Sequence, residues 1–103
     1  MVHEISVTEL ADLLAQKADI LLIDVRNPQE HATSHLGGTL IPLSELPQKY
    51  HTLPRDKSIV VYCQVGVRSR SATAFLLQQG FSDVKNLLGG MIAWQSHLLS
   101  NSQ

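Results

Sequence analysis

The chain has 103 residues, 44% of them hydrophobic and 17% charged, which fits one small globular domain and not a disordered segment. Eight Lys and Arg against nine Asp and Glu leave a formal charge of −1, and no basic cluster appears beyond Arg68 and Arg70, which argues against nucleic acid as a partner. No apolar run, Ile20 to Ile23 included, approaches the length needed to cross a bilayer.

In chain order, Met1-Val2-His3-Glu4 carries no charged stretch leading into an apolar one. No secretory signal is therefore expected, and the cytoplasm is the expected location. Ile5 reads as part of an edge strand. Ser6 and Glu9 form a capping box, and Val7, Leu10, Ala11 and Leu14 follow at helical spacing. Ile20-Leu21-Leu22-Ile23, ending in Asp24, has the pattern of a buried parallel strand. Asn27-Pro28-Gln29-Glu30 then starts a second helix, with Asn27 as the cap, Pro28 in the first turn and Glu30 completing the box. Thr39-Leu40-Ile41 is a short strand candidate, and Ser44 caps a short helix towards Tyr50. After a turn at Pro54 to Lys57, Ser58-Ile59-Val60-Val61-Tyr62 is a strand rich in β-branched residues. A helix from Ser69 to Gln79 places Ala72, Phe75 and Leu76 on one face and stops at Gly80. Val84 to Leu87 is the next strand candidate. Beyond Gly89-Gly90, Met91, Trp94 and Leu98 recur at helical spacing up to the polar tail Ser100-Asn101-Ser102-Gln103. Strands alternating with helices imply a three-layer α/β domain, its mainly parallel sheet flanked by helices on both faces.

In such sheets, sites form beyond the carboxyl ends of the strands. Two segments put polar residues there, Asp24-Val25-Arg26 and the stretch that begins at Cys63. Cys63 is the only cysteine, so it has no internal partner for a disulfide, a CxxC pair or a cysteine zinc site. A lone cysteine is ordinarily buried filler, but this one ends a strand, and Gly66 follows it where a tight reversal is needed. The amides at the start of the next helix lack intrahelical partners and can turn inward. A ring of N–H groups stabilises negative charge and would hold a thiolate below the ~8.5 pKa of free cysteine. The predicted site is Cys63 as nucleophile within the amides of Gln64, Val65, Gly66, Val67, Arg68 and Ser69. Arg68 either faces the bound anion or is a solvated residue at the helix start. Ser69 reads as a helix-start residue. Asp24 and Arg26 either border the pocket or are structural, with Arg26 pairing Glu30. His35 either borders the pocket with them or is a hydrogen-bonded structural residue. The remaining histidines show no metal-ligand spacing, and neither a metal nor a cofactor is expected.

Four segments carry a resemblance to a known family. They are Leu22-Ile23-Asp24-Val25-Arg26 with Glu30; Ser34 to Pro42, with Gly37 where the family often has proline; Cys63-Gln64-Val65-Gly66-Val67-Arg68-Ser69; and Gly80-Phe81 with Val84, then Leu87 to Met91 and Trp94. In this order and at these distances, the chain resembles a single-domain rhodanese, a sulfurtransferase family related to Cdc25-type phosphatases. The resemblance implies a five-stranded parallel sheet flanked by helices, a single domain over residues 1–99, and a cysteine that cycles between thiolate and persulfide. The implied partners are a small-molecule sulfur donor such as thiosulfate and a thiol or cyanide acceptor. A relay to a dedicated sulfur-acceptor protein is a narrower alternative, because Gln64 and Val65 are uncharged. A phosphatase or arsenate reductase is disfavoured. Four residues separate Cys63 from Arg68, one fewer than in the related phosphatases, and an oxyanion needs the wider ring. A non-catalytic interaction module would be signalled by loss of the cysteine or a broken loop, and the chain has neither.

Overall fold

Parallel strands need crossovers of a dozen or more residues between them, and the helices supply these. The computed structural model describes residues 3–101. In chain order it contains β1 (Glu4–Ile5), α1 (Val7–Ala15), β2 (Ile20–Asp24), α2 (Pro28–Thr33), β3 (Thr39–Leu40), α3 (Leu46–Lys49), β4 (Ser58–Tyr62), α4 (Val67–Gln78), β5 (Val84–Leu87) and α5 (Gly90–Asn101). All the strand pairs among the described residues are parallel, in the order β1-β5-β4-β2-β3. Ile5 lies in an edge strand, and β2 and β4 occupy the interior. Ile23 faces Val61 and Asp24 faces Tyr62 across the ladder, so β2 and β4 end level with each other and the segments that follow them meet.

Side chains alternate along β4 and build a core on each side of the sheet. Ile59, Val61 and Cys63 pack with Ile23, Leu46, Ala72, Leu76 and Val84 on one face. Val60 and Tyr62 pack with Ile5, Leu10, Leu87 and Met91 on the other. Each fully buried aliphatic side chain contributes about 1.5–3 kcal/mol. Phe75 and Trp94 lie against these cores, partly buried. Among the described residues, no helix is long and apolar enough to cross a membrane.

Both capping boxes form. The Ser6 hydroxyl accepts from the Glu9 amide, and the Asn27 side chain accepts from the Glu30 amide at 2.8 Å. Three local expectations change. Ser44 lies within a 3-10 turn, Leu43–Glu45, and caps nothing; α3 begins after it without a side-chain cap. Helix α4 starts at Val67 because Gly66, at φ +98°, takes the cap position with left-handed backbone. Leu98, on the apolar spacing of α5, is 51% exposed, since the sheet is covered by the earlier turns of that helix. Helix α5 runs through Ser100 and Asn101, and Ser102 and Gln103 of the expected tail lie outside the described residues.

Candidate active site

Cys63 follows the last residue of β4, and the chain reverses over it into α4. The amides of Gly66 and Ser69 point at its Sγ from 3.1 and 3.3 Å, and the Ser69 hydroxyl lies 3.2 Å away. Burial pushes the Cys63 pKa up. Hydrogen bonds from the Ser69 hydroxyl and from the amides of Ser69, Gly66 and Val65 outweigh it, so the thiol ionises below its usual value. Among the described residues, the amides of Gln64, Val67 and Arg68 make no such bond. The Gln64 side chain turns to Arg26, and Val65 and Val67 are exposed.

The loop is shaped by close backbone approach. The Cys63 and Gln64 carbonyls accept from the Met91 and Ile92 amides at the start of α5, at 2.9 and 3.1 Å. A Cβ on Gly90 would stand 2.3 Å from the Cys63 carbonyl oxygen, so only glycine lets α5 approach the loop this closely.

The two arginines of the site are committed to carboxylates. Arg26, 2% exposed, donates from Nε to Asp24 Oδ1 at 2.9 Å and from Nη2 to Asp24 Oδ2 at 2.8 Å. It also donates from Nη1 to Gln64 Oε1 at 3.0 Å and from Nη2 to the Ser34 carbonyl at 2.6 Å. Arg68 grips both oxygens of Glu30, at 2.8 and 2.9 Å. The expected Arg26–Glu30 pair is therefore corrected. Asp24 lies two residues from Arg26 and is fully buried, where an unpaired charge would cost several kcal/mol, so Arg26 pairs with it and leaves Glu30 to Arg68. Hydrogen bonding from Arg68 holds the Glu30 carboxyl down to about 2. His35 accepts from the Gly37 amide at 2.8 Å and stacks on His31, with ring centroids 4.1 Å apart.

Two contributors escape a reading of the sequence. His31 Nδ1 lies 2.8 Å from Asp24 Oδ2. Asn86, on β5 and 2% exposed, accepts from the Ser69 hydroxyl through Oδ1 at 2.5 Å and donates from Nδ2 to the Gly66 carbonyl at 3.2 Å. Its one sequence signal is an amide side chain in a short strand bounded by the apolar Val84 and Leu87. No group of three or more His, Cys, Asp or Glu side chains among the described residues could hold a metal ion.

The family model described as the rhodanese-like domain matches residues 6–97. The chain belongs to the rhodanese-like family. Over 98 residues this rhodanese-like domain is 42% identical to a sulfurtransferase of Allochromatium vinosum, covering 94% of this chain and 92% of the relative. It is 32% identical over 85 residues to the thiosulfate sulfurtransferase GlpE of Coxiella burnetii, covering 82% and 79% of the two chains. The crystal structure of a rhodanese-related protein from Thermoplasma volcanium superimposes with a TM-score of 0.83 at 32% identity, over 92% of each chain. The five-stranded parallel sheet expected from the resemblance is thus the observed fold of this rhodanese-like domain, shared with its solved neighbours.

Proposed function

We propose that the protein moves a sulfane sulfur from a donor such as thiosulfate to cyanide or a thiol through a persulfide on Cys63. The observation that carries this reading is the convergence of the Gly66 and Ser69 amides and the Ser69 hydroxyl on one sulfur atom whose pKa is lowered. The thiolate attacks the outer sulfur of thiosulfate, and the sulfur–sulfur bond of the donor breaks. Sulfite leaves with the bonding pair, and Cys63 carries a persulfide anion. Cyanide then attacks the outer sulfur, thiocyanate departs, and the bonding pair returns to Sγ as thiolate. The same N–H groups serve the thiolate and the persulfide, because each is a single negative charge centred on sulfur. Cys63 has no exposed surface in this structure, so the reaction requires the loop to part before donor and sulfur meet. The short reach from Cys63 to Arg68 suits a sulfur atom better than a tetrahedral oxyanion, and no useful hydrolysis of aryl phosphates is expected.

A relay to a dedicated acceptor protein, with little activity on thiosulfate, is the second reading. It is favoured by the pairing of Arg26 with Asp24 and of Arg68 with Glu30, which leaves neither arginine's charge free to attract a dianion.

The test is intact mass measurement after incubation with thiosulfate, then after cyanide. The wild-type protein should gain one sulfur atom and lose it again. Cys63→Ser should fold and never load, because a serine hydroxyl is not ionised at neutral pH. Loading of a folded Cys63→Ser protein would sink the mechanism.

A further inference from the structure

Asn86 stands on β5 against the loop that covers Cys63 and is 2% exposed. Its Nδ2 carries two hydrogens, and each has an acceptor: the Gly66 carbonyl at 3.2 Å and the Glu4 carboxylate of β1 at 3.5 Å. Oδ1 is thereby turned to the Ser69 hydroxyl, which donates to it at 2.5 Å. The same hydroxyl lies 3.2 Å from Cys63 Sγ and has one hydrogen for two acceptors. The amides of Gly66 and Ser69 also aim at Sγ, but they belong to the backbone and keep their partner. The hydroxyl can change partner by rotating about one bond. Charge decides between its acceptors, because a hydrogen bond to an ionised group is about twice as strong as one between neutral groups. The charged side chains around this assembly are already engaged. Glu4 accepts from Asn86 itself, Arg68 is paired with Glu30, and the Asp24–Arg26 pair reaches the loop at Gln64. The charge that changes here is that of the sulfur.

From this geometry we infer that Asn86 is a positioning residue for sulfur transfer: it takes up the Ser69 hydrogen whenever Cys63 Sγ is neutral and gives it up when Sγ is charged. Its place in the reaction rests on the persulfide reading proposed above. In the resting thiol, the S–H donates to Ser69 Oγ and the hydroxyl hydrogen lies on Asn86. In the thiolate, the hydrogen turns to Sγ and leaves Asn86 Oδ1. When Sγ attacks the outer sulfur of thiosulfate, a new sulfur–sulfur bond forms, the donor's own bond breaks, and sulfite leaves with the electron pair. The protein's negative charge then sits on the outer sulfur, and Sγ is neutral. The hydrogen stays bonded to Ser69 Oγ throughout and turns back to Asn86, so no proton changes its covalent partner. Asn86 thus regains a hydrogen bond as charge leaves Sγ, which favours the persulfide over the thiolate. It surrenders that bond when an acceptor removes the outer sulfur and the electron pair returns to Sγ.

The test compares full-length proteins by the midpoint pH of Cys63 alkylation and by the rate of loading from thiosulfate. Asn86→Leu removes the competing acceptor, so its midpoint should fall by about half to one unit. Its loading above that midpoint should nevertheless slow about fivefold, because the hydrogen has no second acceptor to turn to. A loosened loop would move the midpoint the other way. In a Ser69→Ala background, Asn86→Leu should leave the midpoint where Ser69→Ala alone puts it. Asn86→Asp, which holds the hydrogen with a charged acceptor, should raise the midpoint and serves as the readout if Asn86→Leu does not fold. In the wild-type protein, the NMR signals of the Asn86 side-chain amide should titrate with Cys63. On loading with thiosulfate above the midpoint, they should return towards their position in the thiol form. An unchanged or raised midpoint in folded Asn86→Leu, or Asn86 signals indifferent to the state of the sulfur, would overturn the inference. A wild-type protein whose Asn86 signals titrate but which never loads sulfur would overturn the persulfide reading, and leave the role of Asn86 in forming the thiolate standing.

Discussion

At the scale of single residues, the least expected arrangement is the hydroxyl of Ser69 between two acceptors. It lies 3.2 Å from Cys63 Sγ and 2.5 Å from Asn86 Oδ1 and carries one hydrogen. The Asn86 amide cannot be turned around, because the Gly66 carbonyl needs its Nδ2 as donor. While Cys63 is a thiol, the S–H can donate to Ser69 Oγ, whose hydrogen goes to Asn86. Once the sulfur ionises, the hydroxyl hydrogen swings to it. Hydrogen bonds to charged groups contribute about 1.5–3 kcal/mol, and one pKa unit corresponds to about 1.4 kcal/mol. Ser69→Ala should therefore raise the midpoint pH of Cys63 alkylation by iodoacetamide by about one unit. An unchanged midpoint would return Ser69 to the helix-start role that its sequence position suggests.

At the scale of elements, the Arg68–Glu30 pair ties α4 to α2. Arg68 is 39% and Glu30 29% exposed, and pairs near the surface contribute about 0.2–1 kcal/mol. In this size range about 1 kcal/mol corresponds to roughly 4–8 °C in Tm. Arg68→Ala and Glu30→Gln should each lower Tm by a few degrees at most, and the double variant should lose little more than either alone. Glu30 is held at about 2 in the folded state and returns to roughly 4.3 on unfolding. At full weight that shift would correspond to about 3 kcal/mol, but solvent screening of this part-exposed pair brings it into the surface-pair range. A depressed carboxyl contributes its stability above the unfolded value and loses it as pH falls through the folded one. The Tm difference between wild type and Glu30→Gln should be full above about pH 5 and shrink as the pH falls from roughly 4.3 towards 2. A difference that persisted unchanged to pH 2 would remove the pair from the account. This pair also marks where the sequence stops being readable. The caps at Ser6 and Asn27 are legible because donor and acceptor lie three residues apart. Arg68 and Glu30 are 38 residues apart, and only the assembled sheet decides that Glu30 faces Arg68 while Arg26 turns to Asp24. The cysteine loop was legible for the opposite reason, since the Gly66 and Ser69 amides that reach the sulfur lie within six residues of it. Asn86 reaches that loop from β5, and no local pattern announces that contact.

For the molecule as a whole, the formal charge is −1 and the cations nearest the sulfur are paired. Long-range attraction of an anionic donor then has little to act through. The rate of sulfur loading from thiosulfate should change by less than about twofold between 50 and 200 mM salt, although the Debye length shortens substantially over that range. A steep fall with salt would show that Arg68 presents its charge to the donor after all, as the sequence alone allowed. The two-sided core is what fixes the floor of the site beneath the loop. Cys63 belongs to the apolar cluster under α4, while Tyr62 beside it belongs to the cluster on the opposite face and holds the segment before β3 through its hydroxyl, which bonds the Leu36 amide at 3.1 Å and the Gly37 carbonyl at 3.0 Å.

Helix α2 stands apart from this floor, because none of its residues is buried. It is held by the Glu30–Arg68 and His31–Asp24 contacts, by its Asn27 cap and by the Ser34 carbonyl on Arg26. Segments lacking apolar contacts open at a small fraction of the global unfolding free energy. In hydrogen–deuterium exchange, the amides of His31 to Ser34 should lose protection well before those of α4 at neutral pH, and faster still in concentrated salt that screens the ion pairs. Uniform protection across the two helices would contradict this. The wall beside a sulfur with no exposed surface is thus a segment with no buried anchor of its own, and the frequency of its opening sets an upper limit on how often the sulfur can be reached from that side.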